Sequence, residues 1–211
     1  MIRIITIERE YGCGAPQIAE RLAAKLDWKL WDKLLTEKIA RLAHCDHSVV
    51  AEREERPDPL YRRLFHSFAL GSYEGTGGVF PIETLDANSI FKLSERVVNE
   101  AASQGNCVIV GRGSQHFLSA RKDTLRFFLY APKEEKLRRL IAEGHTEAKA
   151  TALVNTVDRE RRAFIKRYFH AEWPNLSLYH TMINTAVGEE QVIKTIMSFF
   201  DKSQISNPAA A

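Results

Sequence analysis

Cysteine is scarce: the 211 residues contain three, Cys13, Cys45 and Cys107. They are odd in number and widely spaced, which leaves no disulfide framework and makes a reducing compartment the natural one. Long apolar runs are also missing. The opening Met1-Ile2-Arg3-Ile4-Ile5-Thr6-Ile7 is followed at once by charge and is too short for a signal peptide. No stretch approaches the roughly 20 apolar residues that span a bilayer. A cytoplasmic protein without membrane contact is the expectation. Nor is there an excess of one charge: 30 Lys and Arg against 27 Asp and Glu leave +3, too little to imply a nucleic-acid partner. His44, Cys45 and His47 stand close together with no fourth ligand nearby, so no metal site is expected there. What remains is an ordinary globular composition, 45% hydrophobic and 27% charged, in a chain long enough to bury a full core.

The apolar pattern alternates between two kinds of segment. Ile2–Ile7 is an almost uninterrupted isoleucine run, as in a buried parallel strand. After the turn Tyr11-Gly12-Cys13-Gly14 comes Pro16, tolerated in a first helical turn, and Ile18, Ala19, Leu22, Ala23 and Leu26 recur at helical spacing. Further strands are predicted at Trp28–Trp31, Cys107–Val110, Leu125–Tyr130 and Tyr179–Asn184. Further helices are predicted at Leu34–Ala43, from Asn88 or Ser89 to Ala102, and at Lys133–Glu143, Glu147–Phe169 and Glu189–Phe200. This alternation implies an α/β fold, a parallel sheet flanked by helices in three layers. Ligands of such sheets lie beyond the carboxyl ends of the strands. The candidate ends are Glu8–Gly14, Asp32, Gly111-Arg112-Gly113 and Asn184-Thr185. Residues 44–88 break the pattern with a charge run, three prolines, four glycines and a helical stripe of Tyr61, Leu64, Phe65 and Phe68. They read as an inserted sub-region. The tail 203–211 carries no core signal and is expected to be disordered.

A glycine turn between a first strand and a first helix can bind an anion, because backbone N–H groups and the helix dipole converge on it. The full phosphate-loop pattern is G-x-x-x-x-G-K-[ST]. Here the lysine position holds Ala15, followed by Pro16 and Gln17 in place of a hydroxyl. On pattern alone, a turn that merely needs glycine explains the segment equally well.

The stretch Ile5-Thr6-Ile7-Glu8-Arg9-Glu10-Tyr11-Gly12-Cys13-Gly14, with Ile18-Ala19-Glu20-Arg21-Leu22-Ala23 behind it, resembles the opening of the cytidylate kinase-like family. Further matches follow in order: Trp31-Asp32-Lys33, Val108 to Gly113, Tyr130-Ala131-Pro132, Asp158-Arg159-Glu160-Arg161, and Tyr179-His180 with Ile183-Asn184-Thr185. The resemblance implies one kinase-like domain of the P-loop nucleoside monophosphate kinase class over 1–202. It also implies an acceptor-binding region at 44–88 and a lid at about 144–175. It implies transfer of the γ-phosphoryl group of ATP, with Mg²⁺, to a nucleoside monophosphate or another small acceptor.

The phosphate-binding segment would then be Arg9, Glu10, Tyr11, Gly12, Cys13, Gly14, Ala15 and Gln17, with Arg9 a substitute for the missing lysine. Arg112 matches an arginine that holds the acceptor, Asp32 a strand-end aspartate near it, and Arg161 a lid arginine with Arg159 in the same segment. Asp32 and Glu10 are the carboxylates best placed for Mg²⁺ waters. Two departures stand out: Val110 and Gly113 replace the aspartates that flank Gly-Arg in cytidylate kinases, and no arginine follows Gly14. Three readings are open. They are a small-molecule kinase, a nucleotide- or phosphate-binding module without turnover, and a homodimer or specificity surface formed by the 44–88 stripe.

Overall fold

A computed structural model describes residues 1–45 and 87–205. Most of the 44–88 region, including its aromatic stripe and His47, lies outside the described residues, as do residues 206–211 of the tail.

The strands are β1 (Ile4–Arg9), β2 (Lys29–Trp31), β3 (Cys107–Val110), β4 (Thr124–Tyr130) and β5 (Thr181–Asn184). All are parallel, in the order β2-β3-β1-β4-β5. The helices are α1 (Ala15–Leu26), α2 (Lys33–Cys45), α3 (Ala87–Gln104), the short α4 (Ser114–Phe117), α5 (Lys133–Ala142), α6 (Glu147–Phe169) and α7 (Glu189–Ile205).

Side-chain alternation divides the core in two. Ile5 and Ile7 of β1, Val108 and Val110 of β3, and Leu125, Phe127 and Leu129 of β4 face α1 and α7, meeting Ile18, Leu22, Val192 and Ile196. Ile4, Cys107, Ile109 and Phe128 face the other way and meet Leu35 of α2, Val97 and Val98 of α3, and Phe164 and Ile165 of α6. Every β1 residue is buried, as a central strand covered on both faces must be. Each fully buried Ile or Leu contributes about 1.5–3 kcal/mol by leaving water. Trp173 packs edge-on against Phe128 at 5.4 Å, and Tyr168 stacks on Phe91 at 4.7 Å, so both are packing residues.

Several boundaries differ from the sequence reading. Strand β1 runs on through Glu8 and Arg9, which pair with Phe128 and Leu129 of β4. Apolar pattern stops at Ile7, but the ladder does not, because the Glu8 carboxylate lies 3.7 Å from the Arg9 guanidinium and offsets its burial. Strand β5 begins at Thr181, after a 3₁₀ turn at Leu176–Leu178. Helix α7 passes Phe200 and takes in Ser203 and Gln204, the first part of the tail expected to be disordered. The physical reason is one side chain: Gln204 accepts from the Ile2 N–H at 3.1 Å and donates to the Ile2 carbonyl at 3.0 Å. Helix α4 was not foreseen. Among the described residues no helix is long and apolar enough to cross a membrane.

Candidate functional site

Because the five strands are parallel, their carboxyl ends share one edge. Asp32 follows β2, Gly111-Arg112-Gly113 follows β3, Glu10–Gly14 follows β1, and Asn184-Thr185 closes β5. The crossover from β1 to the sheet's other half makes this edge the natural ligand crevice.

The glycine loop enters α1 with no side-chain cap and no acidic residue in the first turn. Gly12 and Gly14 take φ values of 75° and 77°, a region that L-residues avoid. Among the described residues their N–H groups meet no protein acceptor. The rest of the loop is tied down. Tyr11 is buried against Leu140, Ala150, Val154 and Val157, and its N–H donates to Asp158 Oδ1 at 2.8 Å. The Cys13 carbonyl accepts from Thr185 Oγ1 at 2.7 Å and from the Arg139 guanidinium, which also reaches Thr185 Oγ1 at 2.8 Å. The loop is thus a rigid frame with two glycine amides left over, which suits an anion.

Beside it lies a buried cluster of positive charge. Arg9 from β1, Arg112 from the turn after β3 and Arg161 from α6 are each 7% exposed or less. They line one small cavity with Glu8, Gly113, Phe164 and Ile165. Arg161 Nη1 donates to the Arg9 carbonyl at 2.9 Å, which fixes the α6 arginine on the end of β1. Gly111, Arg112 and Gly113 all have positive φ, at 65°, 59° and 71°. Both glycines are required by space as well: a methyl group on Gly111 would overlap the Arg9 guanidinium, and one on Gly113 would stand 2.8 Å from the Phe169 ring. Burial, then repulsion from Arg9, pushes the Arg112 guanidinium down to about 9, with attraction from Asp32 opposing. The residue is charged at neutral pH, and burial rather than any neighbouring charge is the main cause of the depression. A larger groove of about 410 Å³ lies at the other edge of the sheet, lined by Ile2, Thr124, His180 and Phe199. Size favours that groove; charge and topology favour the arginine cavity, and for an anion they decide.

A third group links the two parts. Lys136 of α5 is buried, with Nζ 2.6 Å from Glu10 Oε2 and 3.4 Å from Asp158 Oδ2. Asp158 Oδ1 also lies 3.3 Å from Arg161 Nη1. Burial pushes the Asp158 carboxyl up, and the charges of Arg161 and Lys136 hold it down.

The structure therefore brings Arg9, Arg112 and Arg161 together, with Asp32 buried at the adjacent strand end, and sets Glu10, Tyr11, Gly12, Cys13, Gly14 and Ala15 next to them. It does not bring in Arg159 or Gln17, both of which are exposed. Arg159 lies two residues from Arg161, about 200° around the helix, so the two cannot share a face. Among the described residues no group of three or more His, Cys, Asp or Glu is placed to hold a metal. Sequence reading missed Lys136 and Arg139. Their signal was available: Lys136, Arg139 and Leu140 lie at i, i+3 and i+4, so one turn of α5 turns two cations and a core leucine to the same side.

Residues 4–187 match the family model of the cytidylate kinase-like family. The chain belongs to that family. Among curated proteins none matches it. Solved structures related to this cytidylate kinase-like chain agree on the fold. An uncharacterized protein from Eubacterium ventriosum ATCC 27560 superposes with a TM-score of 0.65 at 24% identity, covering 96% of this chain and 99% of its own. Shikimate kinase from Bacteroides thetaiotaomicron gives 0.53 at 13% identity, covering 95% and 99%. Shikimate kinase from Acinetobacter baumannii, solved with shikimate, gives 0.50 at 16% identity, covering 96% and 94%. The expected P-loop kinase-type α/β fold is borne out by these likenesses.

Proposed function

We propose that this cytidylate kinase-like chain is a phosphotransferase that moves the γ-phosphoryl group of ATP to a nucleoside monophosphate or a similar phosphorylated small acceptor. The observation that carries this reading is the convergence of three buried guanidinium groups, Arg9, Arg112 and Arg161, beside a capless glycine loop. Phosphoryl transfer asks a protein mainly for positioning and for neutralisation of charge. The Gly12–Gly14 amides and the α1 N-terminus would hold donor phosphates. Arg112 and Arg9 would hold the acceptor phosphate. Arg161 would neutralise charge on the transferring group, delivered by α6 acting as a lid within a single kinase-like domain. The site would act inside the cell, where ATP is abundant.

Mg²⁺ fits this arrangement only in a limited way. Asp32 is a buried carboxylate at the adjacent strand end, whereas Glu8 already faces Arg9 and Glu10 is already paired with Lys136. Such an ion would keep most of its waters and be held by phosphates and at most one protein carboxylate, as Mg²⁺ commonly is. Its contribution would be to neutralise phosphate oxygens.

A second reading has its own support. Ala15 and Pro16 stand where a lysine and a hydroxyl are usual, and Gln17 behind them is exposed, which favours a phosphate-binding module without turnover. One experiment separates the two. ATP consumption is followed with a panel of nucleoside monophosphates, next to nucleotide-induced thermal shifts, for the wild type, Arg112→Ala and Arg161→Ala. Turnover that both substitutions abolish supports the kinase. A shift without turnover on any acceptor supports the binding module. No shift with any nucleotide sinks both.

A further inference from the structure

We infer that Lys136 supplies from α5 the donor-phosphate cation that Ala15 cannot supply from α1; the inference rests on the phosphotransferase reading above. The position is unusual for a lysine. Its side chain is buried, and its Cβ is 3.2 Å from the point a Gly12 Cβ would occupy. Any other residue at 12 would therefore need both a left-handed backbone and a displaced Lys136. The ammonium group sits against Glu10, two residues before Gly12.

Its second partner explains how such a lysine becomes available. Asp158 approaches from α6 and divides its carboxylate, one oxygen on the Tyr11 N–H and the other toward Lys136. A carboxylate so placed satisfies the groups a phosphate oxygen would seek: a loop amide, an ammonium and, through Arg161, a guanidinium. Asp158 is a resident anion at the mouth of the loop. A donor phosphate carries more charge and more acceptor oxygens, so it displaces Asp158 from Tyr11 and takes over Lys136. Because Asp158 belongs to α6, the exchange also reports donor binding to the helix that carries Arg161.

A purely structural ion pair is the competing account, and the variants are chosen against it. Binding of pyrophosphate and of ATP is measured by calorimetry on the full chain, with the melting temperature of each variant. Lys136→Met is expected to weaken both ligands at least about tenfold, the loss of one charge-assisted hydrogen bond. Lys136→Arg is expected to keep most of the affinity. The double variant Glu10→Gln with Lys136→Met removes the stranded carboxylate; it is expected to regain melting temperature without regaining affinity. Asp158→Asn is expected to tighten pyrophosphate severalfold even where Lys136→Met folds poorly. Unchanged affinity in Lys136→Met, affinity restored by Glu10→Gln, or weaker binding in Asp158→Asn overturns the role of Lys136. A wild type that binds neither ligand overturns the phosphotransferase reading beneath it, which is a separate result.

Discussion

Replacing Gly111 by alanine is a small change with two separable consequences. Gly111 has φ of 65°, and the space its side chain would take is filled by the Arg9 guanidinium. Holding alanine in the left-handed region costs about 1–2 kcal/mol. The overlap itself is relieved cheaply, because the obstructing atoms are the far end of a long side chain. Stability should fall by little more than the backbone term, which for a domain of this size lowers the melting temperature by about 2–8 °C. The cost to anion binding should be much larger. Displacing Arg9 removes one of three guanidinium groups from the cavity, a charge-assisted contact worth about 1.5–3 kcal/mol, or roughly 10- to 150-fold in affinity. The assay is a four-member cycle: wild type, Gly111→Ala, Arg9→Ala and both together, each titrated with nucleoside monophosphate and each melted. In the Arg9→Ala background the glycine substitution should add its stability cost and nothing to the loss of affinity, since the residue it acts through is gone. Additive losses of affinity, or a Gly111→Ala variant that binds as the wild type does, would refute the assignment of Arg9 to the cavity.

Two further outcomes test the fold. Gln204→Ala removes both hydrogen bonds that fasten α7 to Ile2; a loss of about 1–3 kcal/mol in chemical denaturation is expected, with the arginine cavity's anion affinity unchanged. His116 stacks on Phe169 at 4.3 Å, and burial pushes its imidazole down to about 4 from an ordinary 6.5. The unfolded chain therefore takes up a proton that the native chain refuses, so stability should decline as pH falls from about 6.5 to 4. His116→Phe should flatten that decline, and denaturation midpoints across the range measure it.

The parts of this molecule that repeat a local rule were legible in its sequence. Isoleucine runs marked β1, helical spacing marked α1 and α3, and glycines marked the ends of β1 and β3, where the ligand edge lies. Parallel strands then placed Arg9, Asp32 and Arg112 on that edge without further information. What stayed hidden was settled by tertiary contact. Glu8 and Arg9 extend β1 as a buried pair, where an apolar pattern sees only its own end. Arg159 and Arg161 look equivalent in a basic stretch, but helical phase sends one to solvent and the other to the Arg9 carbonyl. The spacing of Lys136, Arg139 and Leu140 puts them on one side of α5, but only the tertiary structure lays that side across the glycine loop. Arg9, named from the sequence as a substitute for the loop lysine, shares a cavity with Arg112, and two cations of α5, which the sequence reading did not name, touch the loop.

The most direct test of the central claim, that this edge of the sheet binds a phosphoryl group through buried arginines, is the dependence of melting temperature on a nucleoside monophosphate in the wild type and in Arg112→Ala. Saturation to a hundredfold above the dissociation constant stabilises by about 2.7 kcal/mol, so a rise of about 5–11 °C is expected in the wild type. In Arg112→Ala the slope should be largely lost whatever the starting temperature. Equal slopes in the two proteins, or no rise in either, would contradict it.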